Sequence, residues 1–206
     1  METIGSLKTI QLDALRETAN IGAGHAATAL SQMTGNTIMI KVPAISVSSM
    51  EELPTQFSAA EEPVAAVLMH MLGDLSGRTL LVFPRPTVMR LAELMLRRPV
   101  GSSIALGELE RSAIKEAGNI LSGAYMNALS DFMGMMLLPS PPSLAVDMSS
   151  AVLSTAYVQF GSDHDYVCCV ESEFYLKDLD ERLRGFFLLL PDAASLQAIL
   201  RAVKLA

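Results

Sequence analysis

The chain has 206 residues, half of them apolar and 18% charged, with a formal net charge of −7. This is the composition of a folded chain, not a disordered one. The acidic balance argues against binding nucleic acid or anionic lipid, both of which recruit clustered Lys and Arg.

The longest apolar runs, Val64–Met69 and Phe186–Leu190, fall far short of the ~20 residues that span a bilayer. The first residues carry no basic region leading into an apolar stretch, so no secretory signal is expected. The only cysteines, Cys168 and Cys169, are neighbours. They suit reduced thiols packed in a strand of a cytoplasmic protein, without membrane insertion.

In chain order, the spacing of Leu12, Leu15, Ala19, Ala23, Ala26, Leu30 and Met33 predicts one long helix over roughly 8–34, closed by Gly35. A strand follows at roughly 37–48, interrupted at Pro43. Strands at roughly 64–71 and 77–84 flank a turn at Gly73-Asp74, and a helix follows at roughly 86–97. After the loop at 98–103 the pattern repeats. It gives a helix at roughly 106–133, strands near 135–138, 151–160, 165–176 and 184–190, and a helix at roughly 192–203.

The repeat is visible in the residues themselves. A shift of 99 places Asp13–Ile45 on Ser112–Leu144 without a gap, and ten of the 33 pairs are identical. Among them are Glu17/Glu116, Asn20/Asn119, Ile21/Ile120, Gly24/Gly123, Ser31/Ser130, Gly35/Gly134 and Pro43/Pro142. A weaker echo relates Gly77–Pro84 to Gly185–Pro191. The expected organisation is a single domain of two repeats, about 8–100 and 106–206.

At about 100° per residue, Asp13, Glu17, Asn20, Gly24 and Ser31 share an arc of about 60° opposite the apolar stripe. Ser112, Glu116, Asn119, Gly123 and Ser130 repeat that arc. A face that is merely solvated would tolerate drift among polar residues. A mid-helix glycine costs roughly 1 kcal/mol against alanine, which suggests that something approaches the backbone at Gly24 and Gly123. A carboxylate and a carboxamide three residues apart can pair with a cation and hold a water in a fixed direction. That set suits positioning water for a bond activated elsewhere, on a macromolecular substrate.

Other candidates carry less. His25 and His70 read as packing residues, and Asp163-His164-Asp165 reads as a polar turn rather than a metal site. Gly22-x-Gly24 lies within a helix, not after a strand as a nucleotide loop would. The methionines read as core filler.

The spacing Asp/Ser-x3-Glu-x2-Asn-x22-Pro, met at Asp13, Glu17, Asn20 and Pro43 and again at Ser112, Glu116, Asn119 and Pro142, resembles the signature of the CheC/CheX/FliY family of chemotaxis phosphatases. The resemblance covers nearly the whole chain. It implies an α/β fold with a pseudo-twofold axis, two long helices packed on a mostly antiparallel β-sheet. It implies hydrolysis of the aspartyl phosphate of the response regulator CheY-P. Glu17 and Glu116 would pair with the regulator's lysine, and Asn20 and Asn119 would orient the attacking water.

Asp13, Ser112, Gly24 and Gly123 would line the docking face, with Pro43 and Pro142 shaping the adjoining strand. The resemblance implies no metal or cofactor of the chain's own, the Mg²⁺ being the regulator's. It also implies a second partner, the receptor deamidase CheD, docking on a short helical segment from Asp147 and Met148 to Ser154. That expectation competes with a strand at 151–160. A monomer is expected. The alternative is a non-catalytic adaptor that sequesters CheY-P or CheD.

Overall fold

The computed structural model describes residues 9–49, 62–160 and 166–205. Helix α1 spans Thr9–Thr34, followed by β1 (Ile38–Lys41), β2 (Ile45–Ser49), β3 (Pro63–Gly73), β4 (Gly77–Pro84) and α2 (Arg85–Met95). The second half runs α3 (Glu108–Met133), β5 (Leu137–Pro139), β6 (Ser143–Met148), α4 (Ser149–Phe160), β7 (Tyr166–Leu176), a 3₁₀ turn (Lys177–Leu179), β8 (Glu181–Pro191) and α5 (Ala193–Leu205). The two long helices each have 26 residues and correspond under the 99-residue shift. Each ends at a glycine with positive φ, +73° at Gly35 and +63° at Gly134, a backbone state that a side chain disfavours.

Among the described residues, eight strands pair antiparallel in one sheet. Its main path is β1-β7-β8-β4-β3-β5, with β2 also on β7 and β6 also on β3. The halves are therefore interlocked, since the strands after each long helix pair with the hairpin of the other repeat. The symmetry holds residue by residue. Ile45 pairs with Val170 and Leu144 with Val67, so shifts of 99 and 103 interchange the two ladders. In the centre, Leu81 pairs with Phe187, and a shift of 106 carries one to the other, so the local twofold axis passes through that pair.

By this register Gly77 corresponds to Leu183, not to Gly185 as the sequence echo suggested. The two glycines answer different needs. Gly77 sits at φ +150°, whereas a Cβ on Gly185 would lie 2.8 Å from the Phe83 ring.

Both faces of the sheet are covered at its centre. Ala65, Val67, Met69, Leu81 and Phe83 pack under α1, α2 and α3. Their neighbours Val64, Ala66, Leu80 and Val82 face the other way, with Phe186 and Leu188 beneath Val152 and Leu153 of α4. This explains why the central strands read as near-continuous apolar runs. Tyr125 anchors α3 to the sheet, its ring stacked on Phe187 at 4.8 Å and its hydroxyl 2.6 Å from Ser172 Oγ. The loop between the repeats is held by the Ser103 N–H donating to Glu93 Oε1 (3.0 Å) and by the Arg98–Glu110 ion pair. Glu93 is itself buried against Arg90.

Several expectations fail, and one lies beyond the described residues. The segment expected as a strand at 151–160 is helical. β3 already pairs with β4 on one side and with β5 and β6 on the other, so the segment lies across the sheet face instead. His25 and His70 are exposed, not packed, and Met33 at the end of the apolar stripe is 40% exposed. Asp163-His164-Asp165 lies outside the described residues.

The helix glycines divide by packing. A Cβ at Gly118 would lie 2.7–2.9 Å from three atoms of the Val67 side chain, whereas at Gly24 it would meet nothing within 4 Å. Gly118→Ala is expected to destabilise by ~1–3 kcal/mol through overpacking. Gly24→Ala is expected to stabilise by roughly 0.5–1 kcal/mol through helix propensity. Thermal denaturation of the two variants should show Tm shifts of opposite sign.

Candidate functional site

The Glu and Asn positions are carried by helices whose other faces are buried, so their backbones are rigid. On α1, Leu15, Ala19, Ala23, Ala26 and Leu30 are buried, and on α3 Ile114, Ala117, Leu121 and Met126 are. Glu17 and Glu116 are exposed, while Asn20 and Asn119 are half-buried at the edge of the same face. Asp13 and Ser112 are exposed one turn before each glutamate, and Asp13 pairs with Arg16 at 2.9 Å. Both partners of that pair are about half exposed, so it is worth at most ~1 kcal/mol.

Gly24 is exposed and Gly123 half-buried, and among the described residues nothing beyond the helix's own backbone lies within 4 Å of the place of a Cβ at either. The threonine at position 28 donates to the Gly24 carbonyl at 3.0 Å, a bond within the helix that leaves the outer surface clear.

Two members of the repeated polar arc have a structural task. Ser31 Oγ lies 2.7 Å from the Ala27 carbonyl and accepts the Ile38 N–H at 2.9 Å, tying the end of α1 to β1. In the second repeat Ser130 Oγ donates to the Met135 carbonyl, in the link between α3 and β5. The identity of these serines reflects the helix-to-strand junction, not the outward face. Pro43 lies between β1 and β2, and Pro142 between β5 and β6. Each interrupts the ladder because it has no N–H to contribute.

Sequence reasoning missed two features here. Ile21, beside Asn20, is a large apolar side chain left 50% exposed; its signal was its identity with Ile120 in the repeat. The second is a hydrogen bond from the Val42 main-chain N–H to Asn20 Oδ1 (3.3 Å). A main-chain donor leaves no trace in residue identity.

Asp147 and Met148 close β6, and α4 begins directly after them. Asp147 is exposed, its Oδ1 accepting the Met148 N–H at 2.8 Å. Ser150, Ser154 and Thr155 are exposed along α4. A groove of about 390 Å³ runs between β6, β3 and α4, lined by Ala66, Leu144, Asp147 and Thr155 among others. It lies on the sheet face away from the long helices.

Among the described residues no helix is long and apolar enough to cross a membrane, and no three His, Cys, Asp or Glu side chains gather as a metal site. Cys169 is buried and Cys168 half-buried in β7, and burial pushes both thiols up to about 12. At pH 8 the thiolate fraction is then about 10⁻⁴. Both cysteines are expected to resist iodoacetamide in the folded protein and to react fully in guanidinium, as read by intact mass.

The sequence profile of the CheC-like family matches residues 10–47 and 109–146, which are the two helix–strand units just described. The chain is 32% identical over 205 residues to the CheY-P phosphatase CheC of Bacillus subtilis (strain 168), covering 98% of each. The X-ray structure of FliY from Thermotoga maritima superposes with a TM-score of 0.78 at 25% identity, covering 97% of this chain and 98% of that one. The FliM middle domain from H. pylori superposes with a TM-score of 0.68 at 14% identity, covering 95% and 99%. That likeness shows a shared fold.

Proposed function

The chain belongs to the CheC-like family, and from that premise we propose that it hydrolyses the aspartyl phosphate of a phosphorylated CheY-type response regulator. The observation that carries the reading is the outward Glu/Asn pair presented twice, on rigid helices and in register with the family's two matched segments. The similarity to a CheY-P phosphatase over 98% of the chain supports it.

An acyl phosphate is already activated, and the Mg²⁺ that neutralises its charge belongs to the regulator. This chain's task is then positioning. Glu17 or Glu116 pairs with a lysine beside the phosphorylated aspartate and fixes the docking register. Asn20 or Asn119 enters the site. Its carboxamide oxygen accepts a hydrogen from a water, so that a lone pair of the water points at phosphorus in line with the bond that breaks. The water oxygen bonds to phosphorus and the aspartate carboxylate leaves with the electron pair. The products are inorganic phosphate and the unphosphorylated regulator. Asp13 and Ser112 rim the docking face, and Gly24 and Gly123 admit the partner's backbone. Two sites in one chain need no second subunit, so the working unit is a monomer.

We extend the proposal to a second partner, the deamidase CheD, docking at Asp147, Met148 and the exposed small side chains of α4. The helical state of this segment and the groove beside it support the reading. Asp147→Lys should abolish CheD pull-down while leaving dephosphorylation intact; unchanged capture would remove this docking site.

The central test is the decay of phosphorylated regulator. Wild type should accelerate it, and Asn20→Ala with Asn119→Ala combined should return it to the spontaneous rate. No acceleration by wild type would leave the adaptor reading, in which the chain sequesters the regulator. In the Asn119→Ala background, Gly24→Ala should raise KM several-fold because its methyl group intrudes on the docked partner. The same substitution raises stability, so loss of fold cannot account for that effect.

A further inference from the structure

We infer that the two sites are unequal. The main-chain N–H of Val42 is a positioning group that holds Asn20 ready for reaction, and the second site lacks its counterpart. The inference rests on the phosphatase reading and deepens it.

Asn20 Oδ1 accepts the Val42 N–H at 3.3 Å. A carboxamide oxygen has two lone pairs, so this bond leaves one for a water and leaves both Nδ2 hydrogens free. It also fixes which end of the amide is oxygen. The donor itself is held firmly. The Val42 side chain is 5% exposed in the core, and the following Pro43 confines the Val42 backbone to the extended region.

The 99-residue shift carries Val42 to Pro141, whose ring nitrogen bears no hydrogen. Among the described residues, no hydrogen bond restrains the Asn119 side chain. Pro141 is also exposed where Val42 is buried, so the strand connection beside Asn119 takes a different course. The pairing register around both positions is otherwise preserved: Ile40 pairs with Phe174, and its counterpart Pro139 with Met71. The difference is therefore local to the connection that follows each of these paired residues.

A side chain that must be immobilised during the reaction loses rotamer freedom at that moment, whereas one held beforehand does not. The expected effect on the chemical step is roughly two- to tenfold. It should appear in kcat, because the hydrogen bond acts on the asparagine that orients the water and not on the glutamate that docks.

The test compares Asn119→Ala, which leaves only the Asn20 site, with Asn20→Ala, which leaves only the other. The first should retain a kcat roughly two- to tenfold higher at similar KM. Equal kcat values, or a faster Asn119 site, would overturn the inference. In the Asn119→Ala background, Val42→Pro should remove the advantage from kcat, and Val42→Ala, which restores the N–H, should recover it. Equal losses in both would assign the effect to side-chain packing and reject the hydrogen bond.

A second readout needs neither activity nor a proline variant. In ¹⁵N NMR of the free protein, with each signal identified by its absence from the corresponding Ala variant, the Asn20 carboxamide should be rigid and Asn119 mobile. Equal mobility would sink the idea. Because this arm uses the protein alone, it decides the inference even if wild type fails to accelerate regulator decay. That failure would count only against the phosphatase reading.

Discussion

The structure depends on the exchange of strands between its two repeats. β1 and β2 follow α1 but pair with β7, and β5 and β6 follow α3 but pair with β3. Neither half can close its own sheet, because each leaves the hairpin strand of the other without a neighbour. The Leu81–Phe187 pair on the local axis joins the halves at the centre. The apolar residues on both faces of β3, β4, β7 and β8 then bury together in two contiguous clusters. The long helices lie on this platform in equivalent places, and that equivalence brings two Glu/Asn pairs to the surface.

Much of this was legible in the sequence, and the parts that were not share a physical cause. Local signals located the helices. The apolar stripe of Leu15 to Leu30 predicted α1 to within a residue or two, and the gapless repeat carried that prediction to α3. Pro43 correctly marked a break between two strands. Of the two expectations for α4, the strand at 151–160 fails: Val152, Leu153 and Tyr157 suit a strand by composition, yet the segment is helical. Whether a strand has an edge to join is a property of the whole sheet, and here β3 was already flanked. The echo of Gly77 in Gly185 misled for a similar reason. The two glycines serve a turn and a ring contact, and only the register separates those roles.

The candidate site was legible as residue types at a spacing, because duplication shows which polar residues recur. Duplication cannot separate recurrence for folding from recurrence for chemistry. Ser31 and Ser130 recur because they fasten a helix end to the chain that follows it, β1 for Ser31 and the link before β5 for Ser130. Glu17 and Glu116 recur on exposed surface without such a task. The inequality of the two asparagines was hidden in plain view, since Val42 and Pro141 can both be read from the sequence. Only the course of the backbone reveals that the lost hydrogen is one that Asn20 uses.

The exchange of strands also orders the events of biosynthesis. Val42 lies on the bridge between β1 and β2, whose hydrogen-bonding partner is residues 166–176 near the far end of the chain. As the chain leaves the ribosome, α1 with Glu17 and Asn20 emerges before the second repeat. The strands beside it have nothing to pair with until most of the second repeat has followed. Contacts of such long sequence separation also close slowly. The site that stands first in the sequence is thus among the last to be completed, and a nascent chain cut short before β7 carries its motif residues without the backbone that aligns them.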